Sequence, residues 1–152
     1  IGSQPTLVTE DIVVLLDKSI SYLRKRTSKN INFDILLPKH PINVQLSAPL
    51  FEWVIENLVK NAIDAMDGKG ELKIELLELP EQITILISDT GKGIAANKFK
   101  EVFKPGFTTK QRGWGLGLSL CKRIIENYHN GKIYVKESEV GKGTTFCIEL
   151  KS

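Results

Sequence analysis

Two asparagines one helical turn apart, Asn57 and Asn61, head a series of four motifs whose order and separation leave few folds open. They lie in ENLVKNAIDAM, which starts at Glu56. DTGKGI follows from Asp89, then the glycine string GWGLGL from Gly113, and last GKGTTF from Gly141. Alternating apolar residues lead into the second motif and out of the fourth, whereas helical spacing surrounds the first and follows the third. Strands and helices therefore meet at glycine-rich turns. With 152 residues the chain can bury one real core and is too short for two.

Thr9 is placed to cap a first helix, with Glu10 and Asp11 in its first turn. Ile12, Leu15, Leu16, Ile20 and Leu23 keep helical spacing, and Arg24, Lys25 and Arg26 suit its C-terminal end. Ile31, Phe33 and Ile35 alternate, as do Ile42, Val44 and Leu46, which predicts a pair of short strands around Pro38 and Pro41. Ser47 and Pro49 open a second helix running to about Met66, where Asp67 and Gly68 break it. Residues 72–79 and 83–88 read as paired strands joined at Pro80 and Glu81.

From Gly91 to Gly113 the pattern is irregular, with one short helical stretch over 97–102; a loop of that length in a compact domain is functional or disordered. A third helix is predicted over about 115–127, with Leu118, Cys121, Ile124 and Ile125 on its apolar side. Residues 133–135 and 145–150 give the last strands. This order predicts an α/β two-layer sandwich: a mixed, mostly antiparallel sheet with helices packed on one face. Residues 1–8 read as a linker or cloning remnant, and 9–152 as the domain.

Composition removes several classes of function. The formal charge of +3 would help to hold an anionic nucleotide but is far from the dense basic stripe of a nucleic-acid binder. No apolar run approaches a membrane span and no signal peptide is visible, so this fragment is expected to make no membrane contact and to lie in the cytoplasm, whether or not the full-length protein is membrane-anchored. Cys121 and Cys147 lie in apolar patterns that fit no metal spacing, and read as buried free thiols in a reducing compartment.

The motifs carry chemistry of three kinds. Asn57, Lys60, Asn61 and Asp64 share one helix face, opposite Ile55, Leu58, Val59, Ala62 and Met66. That face is either plain solvated surface or a ligand: side-chain amide oxygens suit a Mg²⁺ ion that keeps waters and phosphates as its other ligands. Asp89 ends a strand beside Gly91 and Gly93. It either holds a tight turn locally or accepts hydrogen bonds from an amino group such as that of adenine. Gly113, Gly115 and Gly117 lead into a helix, as a flexible cap or as amides offered to phosphate. The string is G-x-G-x-G after an irregular loop, not a strand followed by G-x-G-x-x-G, so a dinucleotide fold is rejected; the phosphate-loop pattern is absent.

Taken together, residues 47–150 resemble the catalytic and ATP-binding domain of bacterial sensor histidine kinases, within the GHKL superfamily. ENLVKNAIDAM matches the family's N box, and DTGKGI and GWGLGL match its glycine boxes. FKPGFTTK from Phe103 matches its F box, and GKGTTF its last motif. The resemblance implies ATP and Mg²⁺ as ligands, with Asn61 and Asn57 holding the metal and Lys60 and Asp64 beside them. It implies Asp89 on the adenine amine with Thr144 next to it, and Gly91, Gly93 and Ile94 shaping the turn. It implies Gly113, Gly115, Leu116, Gly117 and Leu118 near the phosphates. Residues 92–114 become a lid anchored by Phe103 and Phe107, with Thr108 and Thr109 in it and Lys110 and Arg112 as γ-phosphate contacts.

Two departures bear on function. Trp114 stands where many members have a small or hydroxyl residue. Asn57 stands where hydrolytic members tend to place a glutamate base, and Glu56 is about 100° away around the helix, which favours a kinase. The family's acceptor histidine lies on a separate dimerisation domain; His40 and His129 both read as structural or exposed, and the chain as a module of a longer kinase. The partners implied are that dimerisation domain and a downstream response regulator. The rival expectations are a serine kinase or ATPase of the same superfamily, and a nucleotide-sensing module without phosphotransfer.

Overall fold

The computed structural model describes residues 5–106 and 117–152. Strand β1 (Val8–Asp11) runs straight into helix α1 (Ile12–Lys25). Strands β2 (Ile31–Leu36) and β3 (Asn43–Leu46) precede helix α2 (Ala48–Ala65). Strands β4 (Gly70–Leu79) and β5 (Gln82–Asp89) form a hairpin, followed by two single 3-10 turns at Ala96–Lys98 and Glu101–Phe103. Helix α3 (Gly117–Lys122) widens into a π-helical segment, Arg123–Tyr128, before strands β6 (Lys132–Glu139) and β7 (Gly143–Lys151).

The main sheet has the order β2-β4-β5-β7-β6, and only the β2–β4 pair is parallel. Its inner face carries Leu72, Ile74, Leu76, Ile85, Ile87, Phe146, Ile148 and Val135, all buried under the helices. From α2 come Phe51, Val54, Ile55, Leu58 and Val59, and from α1 Ile12, Leu16 and Ile20. Each fully buried Leu, Ile or Phe contributes about 1.5–3 kcal/mol of transfer free energy, so this layer supplies the main driving force for folding. The two-layer α/β sandwich expected from the order of elements is the fold observed.

Three local expectations are corrected. Thr9 does not cap α1. Val8, Thr9, Glu10 and Asp11 pair with Leu46, Gln45, Val44 and Asn43 of β3, and the helix starts only where that ladder ends. Asp11 is the cap: its Oδ1 accepts from the N–H of Val13 at 3.1 Å and of Ile42 at 3.2 Å. The ordered strand thus includes Val8, which the sequence had assigned to a linker. Finally, β2 and β3 do not pair with each other; β2 adds to the main sheet and β3 to β1.

Candidate functional site

The sheet's inner face changes character at one end. A transverse row there reads Leu72, Asp89, Thr144, Ser138 across β4, β5, β7 and β6. Hydrophobic residues fill the rows below it, but beyond Leu72 this row is polar, and its centre is still buried: Asp89 is 7% exposed and Thr144 5%, with Ser138 half-buried. The Gly91 N–H donates to Asp89 Oδ1 at 2.8 Å. Removal from water pushes the Asp89 carboxyl above the ordinary aspartate range, and the backbone N–H groups of Gly91 and Thr144 offset part of that shift.

The turn after Asp89 is clamped from two sides, which explains its glycines. A Cβ on Gly91 would lie 2.6 Å from the Ala65 carbonyl, at the end of α2, and Lys92 N–H donates to that same oxygen at 2.9 Å. Gly93 has φ +77°, and a Cβ there would meet Glu139 O at 2.2 Å. On the other side Gly141 N–H donates to Lys92 O at 2.7 Å, and Ile94 N–H to Ser138 Oγ at 2.7 Å.

The polar face of α2 starts at this turn. Asn61 lies one helical turn before Ala65 and Asn57 one turn earlier; both are half-buried, while Lys60 and Asp64 are exposed. Asn57 Nδ2 donates to Trp53 O at 2.9 Å, which orients its amide so that Oδ1 is presented as an acceptor. A Cβ on Gly117 would lie 3.4 Å from that Oδ1. The Asp89 turn and the start of α3 therefore flank α2 at points about 12 Å apart along its axis. Lys60 is in an ion pair with Glu56 at 3.1 Å.

Phe103 is buried, edge-on to Phe146 with centroids 6.0 Å apart, and Lys122 Nζ lies 5.7 Å from its ring centroid. Ile94 and Leu118 are half-buried. Phe107, Thr108, Thr109, Lys110, Arg112, Gly113, Trp114, Gly115 and Leu116 lie outside the described residues. Among the described residues no group of three or more His, Cys, Asp or Glu side chains could hold a metal. The Asn57 amide oxygen is a hard neutral donor of the kind that suits Mg²⁺ with waters and phosphates as its other ligands.

Neither histidine belongs to the site. His129 is buried: its Nε2 accepts from Ser47 N–H at 3.1 Å, so Nδ1 carries the proton and donates to Ile124 O at 2.9 Å. His40 is exposed and meets Glu78 at 2.7 Å. Cys121 and Cys147 are both buried free thiols, and burial pushes Cys121 up to about 12.

Residue Ser138 was not anticipated. Ile133 and Val135 point inward, so strict alternation would send Glu137 inward and Ser138 outward. A register shift between Val135 and Glu137 reverses that parity, and no turn residue marks it in the sequence.

Comparison with known proteins gives a consistent picture. The family described as histidine kinase-, DNA gyrase B- and HSP90-like ATPase matches residues 47–152. Sporulation kinase D of Bacillus subtilis is 38% identical over 114 residues, covering 75% of this chain and 22% of that protein. The chain thus spans about a fifth of the length of the curated relatives it matches. The catalytic domain of histidine kinase ThkA, in a nucleotide-free form, superposes with a TM-score of 0.87 at 28% identity, covering 97% of this chain and 96% of that one. ThkA in complex with the response regulator TrrA gives 0.83 at 27% identity, over 95% of this chain and 41% of that one.

Proposed function

Because the chain belongs to the histidine kinase-, DNA gyrase B- and HSP90-like ATPase family and has the catalytic-domain fold of histidine kinases, we propose that it binds Mg²⁺-ATP along α2 and transfers the γ-phosphoryl group to a histidine on a separate dimerisation domain. One observation carries this reading. The polar face of α2 runs from a buried acceptor, Asp89, to the start of α3 at Gly117, and offers amide oxygens in between. An elongated ligand with a base at one end and phosphates at the other fits that sequence of groups.

In this arrangement Asp89 accepts from the adenine amine, Thr144 lies beside it, and Gly91 and Gly93 let the backbone turn without intruding on the base. Asn61 and Asn57 supply oxygens to the metal, which when bound neutralises charge on the triphosphate. Positioning and charge stabilisation are what phosphoryl transfer asks of a protein, and no covalent participation by this chain is needed. Hydrolysis would need a base to activate water. Asn57 stands where a hydrolytic relative would place that base, and Glu56 beside it is about 100° around the helix and paired with Lys60, which favours transfer over hydrolysis. By the same reading the phosphoryl group passes on to a response regulator in the cytoplasm, where two buried free thiols are at home.

The test is calorimetric titration of ATP with and without Mg²⁺ on the wild type and on Asn61→Ala. The variant should keep its circular dichroism and lose at least the ~10-fold of metal-linked affinity that even outer-shell partners command. Unchanged Mg²⁺ dependence in a folded variant removes Asn61 from the site.

A further inference from the structure

Ser138 makes three hydrogen bonds with a single hydroxyl. It accepts from Ile94 N–H at 2.7 Å, donates to Gly143 O at 2.9 Å, and shares a 2.7 Å contact with Thr144 Oγ1. A serine hydroxyl has one proton and two acceptor positions. A backbone carbonyl can only accept, so the Ser138 proton goes to Gly143. Ile94 N–H then fills one acceptor position. The Thr144 contact is satisfied only if Thr144 donates its own proton to Ser138.

We infer that Ser138 is a positioning residue for base selectivity: it commits the Thr144 hydroxyl proton, so that Thr144 turns only acceptor lone pairs toward the ligand. Asp89 beside it is likewise an acceptor when ionised, and its own contacts come from N–H donors. The two side chains that would meet the base are then both acceptors. They match a purine carrying an amine at C6 and oppose one carrying a carbonyl there. This rests on the reading of Asp89 as the group that meets the base. It goes beyond that reading by placing the selectivity in a side chain of β6 that faces Thr144.

The hydroxyl also holds Ile94, so its removal could loosen the turn; a paired measurement separates the two effects. Affinities for ATP and for ITP, in which a C6 carbonyl and an N1–H replace the C6 amine and the N1 lone pair, are measured by calorimetry for wild type, Ser138→Ala, Ser138→Thr and Thr145→Val; 2-aminopurine triphosphate, which keeps the N1 lone pair but lacks the C6 amine, isolates the C6 contribution. Thr145 makes a comparable hydroxyl pair with Ser88, at 2.8 Å on the opposite face of the sheet. Ser138→Ala frees the Thr144 proton and should shrink the ATP-to-ITP preference roughly three- to tenfold, the worth of one hydrogen bond. Ser138→Thr should restore the preference and Thr145→Val should leave it intact. If Ser138→Ala does not fold, Ser138→Cys, a weak donor and acceptor of similar shape, carries the same comparison. Equal weakening of both nucleotides, or an unchanged ratio, overturns the inference while leaving Asp89 in place. A wild type that does not distinguish ATP from ITP overturns both.

Discussion

Asp89 shows how one residue can serve a ligand at the expense of the empty fold. Its carboxyl is raised above the unfolded value of 3.8, chiefly by burial. The stabilising contribution of such a group is complete below the unfolded pKa and disappears as pH rises through the folded one. At neutral pH the ionised side chain is therefore a net cost, partly offset by the Gly91 and Thr144 N–H groups. Asp89→Asn removes the charge and keeps an oxygen for Gly91. It should stabilise the nucleotide-free domain by ~0.5–2 kcal/mol in urea titration at pH 7, while abolishing the preference for ATP. Wild-type ATP affinity should also begin to fall on acidification while exposed aspartates are still ionised. An Asn variant no more stable than the wild type would mean that the carboxylate is not held at a cost. Asp89 stood out in the sequence as a carboxylate closing an alternating strand before Thr-Gly, but DTGKG alone reads as well as a local turn, and only the family resemblance ties it to an adenine amine. Ser138 was not legible, because its inward orientation depends on a bulge defined only by pairing with β7.

At the scale of elements, the sequence was read well where periodicity was long and poorly where tertiary pairing decided. The 18-residue α2 and the β4–β5 hairpin fall within a residue or two of expectation. The start of α1 and the partners of β2 and β3 do not, since Thr9 and Asp11 are both acceptable caps and only the ladder with β3 selects between them. His129 is the strut of a related arrangement. It joins the N–H of Ser47, just before α2, to Ile124 O inside the π-helical segment, and so ties two helices through one neutral imidazole. The Ser47 side chain makes no cap bond, while its backbone N–H is bonded to that ring. His129→Ala leaves a donor and a carbonyl without their partner and opens a cavity. A loss of about 1–3 kcal/mol is expected, with ATP selectivity unchanged because the residue lies outside the Asp89 row. Urea unfolding measures the first quantity and nucleotide calorimetry the second; a variant as stable as wild type would show that water replaces the ring at no cost.

For the whole molecule, neither histidine is placed to meet the proposed nucleotide site. Asp89 lies opposite Leu72 on β4, and from Leu72 to Glu78, the partner of His40, the strand runs about 20 Å. His129 has both ring nitrogens engaged and is buried. In-line transfer requires the acceptor nitrogen within contact distance of the γ-phosphorus, and that positioning supplies much of the rate. The 152-residue chain incubated with γ-labelled ATP should therefore bind nucleotide without becoming labelled. Adding a two-helix dimerisation domain that carries an acceptor histidine should produce label that is lost in acid and kept in base. The reaction should be slow, because the two parts meet at bulk rather than tethered concentration. Stoichiometric acid-labile label on the chain alone, removed by His40→Gln, would place an acceptor within this fold and overturn the separate-acceptor reading.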